Sequence, residues 1–334
     1  MHVIEHPAPR RGHGPPVEIA GSDEVTARLK RDVSVLATEI GERNLRDPTR
    51  RRALRAAREY IAAELTAAGH TVSRQTYAVG DASVENLEIE LRGADKADEI
   101  IVVGAHYDTA EHTPGANDNA SGVAALLAIA RHALSGIGRR RTLRLVAFCT
   151  EEPPFTRTAA MGSWVYARAC RRHGDAIAGM LSLETLGYYA ESHRPKHAPF
   201  PLSHASPWRA DFLAVLGNLG SRELVAQVVA AFGETAKIRC VGAALPGFLP
   251  GVRSSDQWSF WKEGYPAIML TDTAWLRYRH YHRPSDTSDK LDFPRLCKVT
   301  SSVAHALDRL ANTERFSALA RTDRRACTAH ATRL

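Results

Sequence analysis

The sequence predicts an α/β fold, a single globular domain with a mixed, mostly parallel central sheet and helices on both faces. Three observations predict it. Short apolar runs alternate along the chain with longer stretches of helical periodicity, and strands that alternate with helices assemble into a largely parallel sheet. The run IIVVGA at 100–105 is apolar without alternation, as in a strand covered on both sides. No linker and no internal repeat divides residues 21–312, and a chain of 334 residues can bury a sizeable core as one unit.

Each element has a local reason. Residues 1–20, rich in Pro, His and Gly, read as a loose arm. Ser22, Asp23 and Glu24 suit the start of a helix that runs to residue 40 and ends at Gly41. Ala53, Ala56, Tyr60, Ile61 and Leu65 share one face of a second helix over 51–68, with Gly69 as its stop. The period then drops to two at Leu87, Ile89 and Leu91, a half-buried strand. After the strand at 100–105 come a helix at 119–134, a strand at 143–148, a helix at 161–172 and a strand at 180–183. Strands at 212–216 and 267–270, with helices at 221–232, 256–262 and 294–311, complete the domain. The tail at 313–334 lacks apolar periodicity and is expected to fray.

Composition narrows the class. Hydrophobic residues at 44% and charged residues at 24% describe an ordinary globular chain. The net charge of +7 invites nucleic acid, but the arginine-rich stretches at 46–58, 139–141 and 315–333 carry no interleaved aromatics. They read as solvated faces and tails, so no nucleic-acid partner is expected. No apolar run approaches the ~20 residues of a membrane span, and the first residues lack the apolar core of a secretory signal. No membrane partner and a cytoplasmic location are the expectation. The five cysteines are scattered, without a C-x-x-C pair, which disfavours both a disulfide framework and a thiolate metal site.

The residues just beyond each buried strand carry the chemistry. After 100–105 stand His106, Tyr107 and Asp108, then Asn117, Asp118 and Asn119 at a helix start. After 143–148 stand Glu151 and Glu152, after 180–183 stands Glu184, and after 267–270 comes a loop with His280, Tyr281 and His282. Ligands of open α/β sheets bind outside the carboxyl ends of strands, so parallel strands would gather these groups at one edge. Imidazoles with carboxylates suit Zn²⁺, Mn²⁺ or Co²⁺. Three or four such groups hold one ion; five, with one carboxylate bridging, suit two ions ~3.5–4 Å apart. Pro153 and Pro154 prevent a helix from continuing past Glu151 and Glu152, which leaves one of the pair free to bind metal and the other to face bound water. Alternation aims His280 and His282 to the same side and does not choose between them.

Six blocks resemble family twenty-eight of the metallopeptidases, in that family's order: GAHYDT at 104–109, GANDNASG at 115–122, TEEPP at 150–154, SLETLGYY at 182–189, SSDQWSFWKEGYPAIML at 254–270 and YHRPSDTSDKLD at 281–292. The family holds aminopeptidases, glutamate carboxypeptidases and, more distantly, glutaminyl cyclases. The resemblance implies that residues 21–312 form a zinc peptidase domain with two Zn²⁺ ions, for which Mn²⁺ or Co²⁺ can substitute. It makes His106 and Glu184 ligands of one zinc, Glu152 and His282 ligands of the other, and Asp118 the bridge. Glu151 takes the place of the general acid/base, and Asp108 that of a partner orienting the His106 imidazole. It also implies a cis peptide between Asp118 and Asn119.

The sequence departs from the family pattern in places. Glu184 stands where aspartate is common, Gln257 stands in an SDQ triplet where SDH is common, and PPFTRTAAMGS at 153–163 replaces a short glycine-rich link. GANDNASG lacks the glycine spacing and lysine of a phosphate loop, which disfavours nucleotide binding. Asp256 reads as a helix cap or a support for the metal loop, and Asp286 as a turn residue. The stretch at 190–210 and the loop at 242–251 are candidates to line the pocket.

The activity this implies is removal of N-terminal residues from peptide or aminoacyl substrates. The alternatives are a mono-zinc glutaminyl cyclase, a carboxypeptidase that uses Arg253 to grip a substrate carboxylate, and a non-catalytic receptor-like relative.

Overall fold

A computed structural model describes residues 2–4, 22–133, 139–190, 211–235 and 237–314. Its strands are β1 (His2–Ile4), β2 (Ser73–Val79), β3 (Ala82–Leu91), β4 (Lys96–His106), β5 (Arg141–Phe148), β6 (Ala176–Leu183), β7 (Phe212–Asn218), β8 (Arg239–Leu245) and β9 (Ala267–Thr271). Its α-helices are α1 (Ser22–Ser34), α2 (Pro48–Ala67), α3 (Gly122–Ala133), α4 (Gly162–His173), α5 (Arg222–Thr235), α6 (Gln257–Lys262), α7 (Ala274–Arg277) and α8 (Phe293–Asn312). The strands join in one sheet ordered β1-β8-β7-β9-β6-β4-β5-β3-β2.

The centre of the sheet explains the unbroken apolar run. β4 pairs in parallel with β5 on one side and β6 on the other, and β6 pairs in parallel with β9. Successive side chains of a strand point to opposite faces, and here both faces are covered. Ile101, Val103 and Ala105 join one apolar core with α3 and α8, whereas Ile100 and Val102 join another with Tyr166, Ala167 and Cys170 of α4 and Phe260 of α6. The helices start where local chemistry allows. Asp47 accepts hydrogen bonds from the N–H groups of Thr49 and Arg50 ahead of α2, whose first residue is Pro48, and Asp292 accepts from the N–H of Arg295 at the start of α8. Both satisfy donors that no helical carbonyl can reach.

The sheet is mixed, as expected, with parallel pairing concentrated at its centre. Among the described residues, the flanking pairs β2–β3, β3–β5, β7–β9 and β1–β8 are antiparallel. Strands β2 and β8 are absent from the expected order. β2 is almost wholly exposed or half-buried along its length. β8 is a buried run that takes up 242–245, the first part of the segment read as a loop. The first helix also changes character: α1 stops at Ser34 and a wider π-type turn over Val35–Ile40 ends at Gly41. Residues 2–4 form an edge strand within the segment read as a loose arm; residues 5–21, 191–210 and 315–334 lie outside the described residues, and with them most of the arm, the stretch at 190–210 and most of the tail. Among the described residues no helix is long and apolar enough to cross a membrane.

Candidate metal centre

Because β5, β4, β6 and β9 run the same way, their carboxyl ends share one edge of the sheet. His106 is the last residue of β4, Glu151 and Glu152 follow β5, and Glu184 follows β6 directly. His282 arrives from the loop beyond α7, with a backbone φ of 54°. Asp118 lies in the turn over Ala116–Ser121 that leads into α3, and its peptide bond to Asn119 is cis. That turn passes close to its own start. A Cβ on Gly115 would meet the Asp118 carbonyl oxygen at 2.3 Å, and the φ there is +64°, so a side chain is barred on both counts.

All the ligand candidates converge. The two oxygens of Asp118 face different imidazoles: Oδ1 lies 3.3 Å from His106 Nε2 and Oδ2 lies 3.0 Å from His282 Nε2. Each imidazole has one further carboxylate beside it, Glu184 Oε2 at 3.3 Å from His106 Nε2 and Glu152 Oε2 at 3.3 Å from His282 Nε2. Glu151 Oε2 stands farther off, 3.9 Å from His106 Nε2. His106, Asp118 and Glu152 alone bring one ligand atom each within 4.8 Å of one another, enough to hold an ion.

A cation fits this group on the evidence of its own atoms. His106 Nε2, both oxygens of Asp118, Oε1 of Glu152 and His282 Nε2 are buried without a hydrogen-bond partner. Buried polar atoms are nearly always paired, and leaving several unpaired in one place costs kilocalories for each. Bound divalent cations would accept the lone pairs of these atoms.

The electrostatics reflect crowding of like charge. Burial pushes the Glu151 carboxyl well above the usual range, opposed by the His106 imidazole and reinforced by Glu152, Glu184 and Asp256. Burial also pushes Glu152 up to about 7, with Asp118 adding to it, and raises Glu184 for the same two reasons. Asp118 goes the other way: burial is outweighed by the two imidazoles, which hold its carboxylate well below the usual range.

The surrounding shell differs from the sequence reading in several residues. Asp108 lies 3.5 Å from His106 Nδ1, which has no hydrogen-bond partner. The two oxygens of Asp108 also accept from the backbone N–H groups of Glu151 and Glu152, both at 3.1 Å, so it ties the glutamate turn to β4. Asp286, read as a turn residue, is buried and accepts from the N–H groups of Asn117 and Asp118 and from the Tyr278 hydroxyl. Asp256 does not cap α6; both its oxygens are buried without a partner. Gln257 donates to the Val252 carbonyl and takes no part in the cluster. Tyr281 stacks on the His282 ring at 4.0 Å between centroids, while His280 turns away to Ser285. Ser255 donates to Glu184 Oε2 at 2.7 Å. Arg43 and Asp272, neither noted in the sequence, are also buried here. Asp272 accepts from the Asn117 side chain and the Tyr188 N–H. Arg43 could not be found from arginine content, because nothing local marks it from the exposed arginines that come after it.

The family model described as Peptidase family M28 matches residues 86–307, a span that contains every ligand candidate. The chain belongs to peptidase family M28. It is therefore a metal-dependent peptidase, and zinc is the metal in the names of several proteins it resembles. "Uncharacterized protein YfbL" of Escherichia coli (strain K12) is 37% identical over 73% of this chain and 77% of its own length. A probable zinc metalloprotease of Pyrenophora tritici-repentis is 27% identical over 71% of this chain and 54% of its own length, so the match spans about half of that fungal protein. Among solved structures, a zinc aminopeptidase from Bacillus subtilis superposes with a TM-score of 0.68 over 92% of this chain and 98% of its own, at 14% identity. Porphyromonas gingivalis glutaminyl cyclase superposes with a TM-score of 0.65 over 88% and 99%, at 19% identity. At such identities these two establish that the M28 peptidase shares their fold.

Proposed function

We propose that the chain is a two-zinc aminopeptidase that removes N-terminal residues from peptides. The observation that carries this reading is the division of Asp118, whose two oxygens each face a separate imidazole–glutamate pair. His106 and Glu184 would hold one ion, His282 and Glu152 the other, and Asp118 would belong to both. Zinc bound there supplies Lewis acidity, which makes water acidic enough to ionise near neutral pH and polarises a scissile carbonyl. Glu151, raised in pKa and without a partner for Oε1, accepts the proton of the attacking water and hands it to the leaving amine. Asp108 holds the Glu151 and Glu152 backbone in place for that task, and the Tyr281 ring fixes the plane of His282.

A single-zinc reading has one observation in its favour, the compact His106, Asp118 and Glu152 set, and would suit a glutaminyl cyclase. A non-catalytic relative has no observation in its favour, since Glu151 and every ligand candidate are present. Elemental analysis of the purified protein, alongside turnover of aminoacyl amides and of peptides with N-terminal glutamine, separates these readings. Two zinc ions per chain, with cleavage lost to a chelator and restored by zinc, are the expected result. One firmly bound zinc with cyclisation and no cleavage would overturn the aminopeptidase reading.

A further inference from the structure

The cleft in front of the metal centre, about 350 Å³ in volume, is lined by Glu151, Glu152, Tyr281 and His282 and also by Arg157 and Arg253. We propose that these two arginines hold a carboxylate of the substrate, so that the favoured peptide carries an acidic group beside the bond to be cut. The proposal rests on the two-zinc peptidase reading.

Among the described residues, both arginines line the cleft with no acidic partner of their own. Several other arginines are held by acids: Arg131 bonds Asp32 and Glu64, Arg74 bonds Glu59 and Glu85, and Arg144 bonds Glu90 and Asp175. Among the described residues neither Arg157 nor Arg253 has a carboxylate within 4.0 Å of its guanidinium. A guanidinium stays charged at any physiological pH and matches a carboxylate with two parallel hydrogen bonds.

The loops that carry them are built to this shape. Arg157 has a backbone φ of 59°, a region that L side chains rarely occupy. The turn that puts it there is tied to the glutamate pair by the Thr156 hydroxyl, which donates to the Glu151 carbonyl at 2.6 Å. On the other loop, Gly251 has a φ of +81°, and a Cβ there would meet the Trp275 ring at 2.2 Å. Only glycine lets this segment close against the indole two residues before Arg253.

A carboxylate in that place has two sources, the side chain of the residue at the scissile bond or the free carboxyl end of a short peptide. The experiment compares each acid with its isosteric amide on the zinc-loaded full chain. One arm sets glutamyl against glutaminyl p-nitroanilide, and the other sets Leu-Gly against Leu-Gly amide, both read as kcat/KM. The expected result is an acid preference of at least about tenfold, roughly 1.4 kcal/mol, in one arm or both. It falls below about threefold in the Arg157→Gln/Arg253→Gln double variant and weakens with added salt. Arg55→Gln, an exposed arginine on α2, keeps the preference and controls for net charge. Equal rates for acid and amide in both arms, or a preference untouched in the double variant, would overturn the proposal. Calorimetric binding of the same pairs to the zinc-loaded Glu151→Gln protein makes the comparison without turnover. Acid preference in binding with no cleavage by the parent protein keeps the clamp and rejects the peptidase reading; cleavage without acid preference does the reverse.

Discussion

Glu151 and Glu152 are neighbours with the same side chain and different surroundings. The second has an imidazole at 3.3 Å, and the first stands back at 3.9 Å from the other imidazole with Oε1 unpartnered. Burial raises both carboxyls, and in the proposed reaction Glu151, left out of the proposed metal ligands, carries a proton between water and leaving amine. Glu151→Gln keeps the shape and removes the proposed base. It is expected to retain fold and zinc content while turnover falls at least ~100-fold. Near-normal turnover in a zinc-replete Glu151→Gln protein would exclude the role. The adjacency of two glutamates was plain in the sequence, and so was the turn that Pro153 and Pro154 impose. Which oxygen faces which imidazole was not, because it depends on chain segments far away in sequence on either side.

At the scale of elements, the ligands are only as well placed as the loops that carry them, and Arg43 clamps one of those loops. Its guanidinium donates to five backbone carbonyls, those of Leu36, Gly41, Tyr107, Pro114 and Gly115. Leu36 lies in the π-type turn that comes after α1; Tyr107, Pro114 and Gly115 belong to the segment between β4 and α3 that holds Asp118. Burial pushes the guanidinium down to about 10, against the pull of Asp108, Asp286, Asp118 and Glu152. Arg43 therefore also sets a positive charge behind the acidic cluster. Arg43→Met strands those carbonyls and is expected to cost at least ~3 kcal/mol in urea unfolding. Arg43→Lys recovers only part of this, since an ammonium has three donors for five acceptors. Equal stability of Arg43→Met and the parent would refute the clamp. Asp286 does the complementary work from the far side, accepting the N–H groups of Asn117 and Asp118.

Across the whole molecule, buried acids outside the proposed metal ligands tie stability to pH. Asp272 is fully buried, and its carboxyl is pushed up to about 8 by burial, against hydrogen bonds from Asn117 and the Tyr188 backbone. In the unfolded chain it ionises near 3.8, so between pH 4 and pH 8 the folded state holds a proton that the unfolded state has lost. Stability contributed by this group is full below pH 4 and declines as pH rises through that window, by at most ~1.4 kcal/mol per pH unit. Asp272→Asn cannot ionise. Urea midpoints taken at pH 5 and pH 8 are expected to fall less in this variant than in the parent. Parallel declines would show that Asp272 is already ionised in the fold.

The sequence by itself determined the central strands, the helices around them and the family to which the chain belongs. Apolar periodicity is a local property, and the six blocks place His106, Asp118, Glu151, Glu152, Glu184 and His282 just past the strands whose parallel pairing aligns them. Only the tertiary structure decided how the oxygens of Asp118 are shared, that Asp108 grips the glutamate turn, and that Asp286, Asp272 and Arg43 are buried around the centre. It also decided that β7 runs antiparallel to β9 and that Arg157 and Arg253 face one cleft. The physical reason is range. A hydrogen bond between Arg43 and Pro114, or an imidazole from residue 282 meeting a carboxylate from residue 118, leaves no periodic trace in either segment. Such contacts come from the packing of distant elements, which fixes their energies and with them the chemistry of the site.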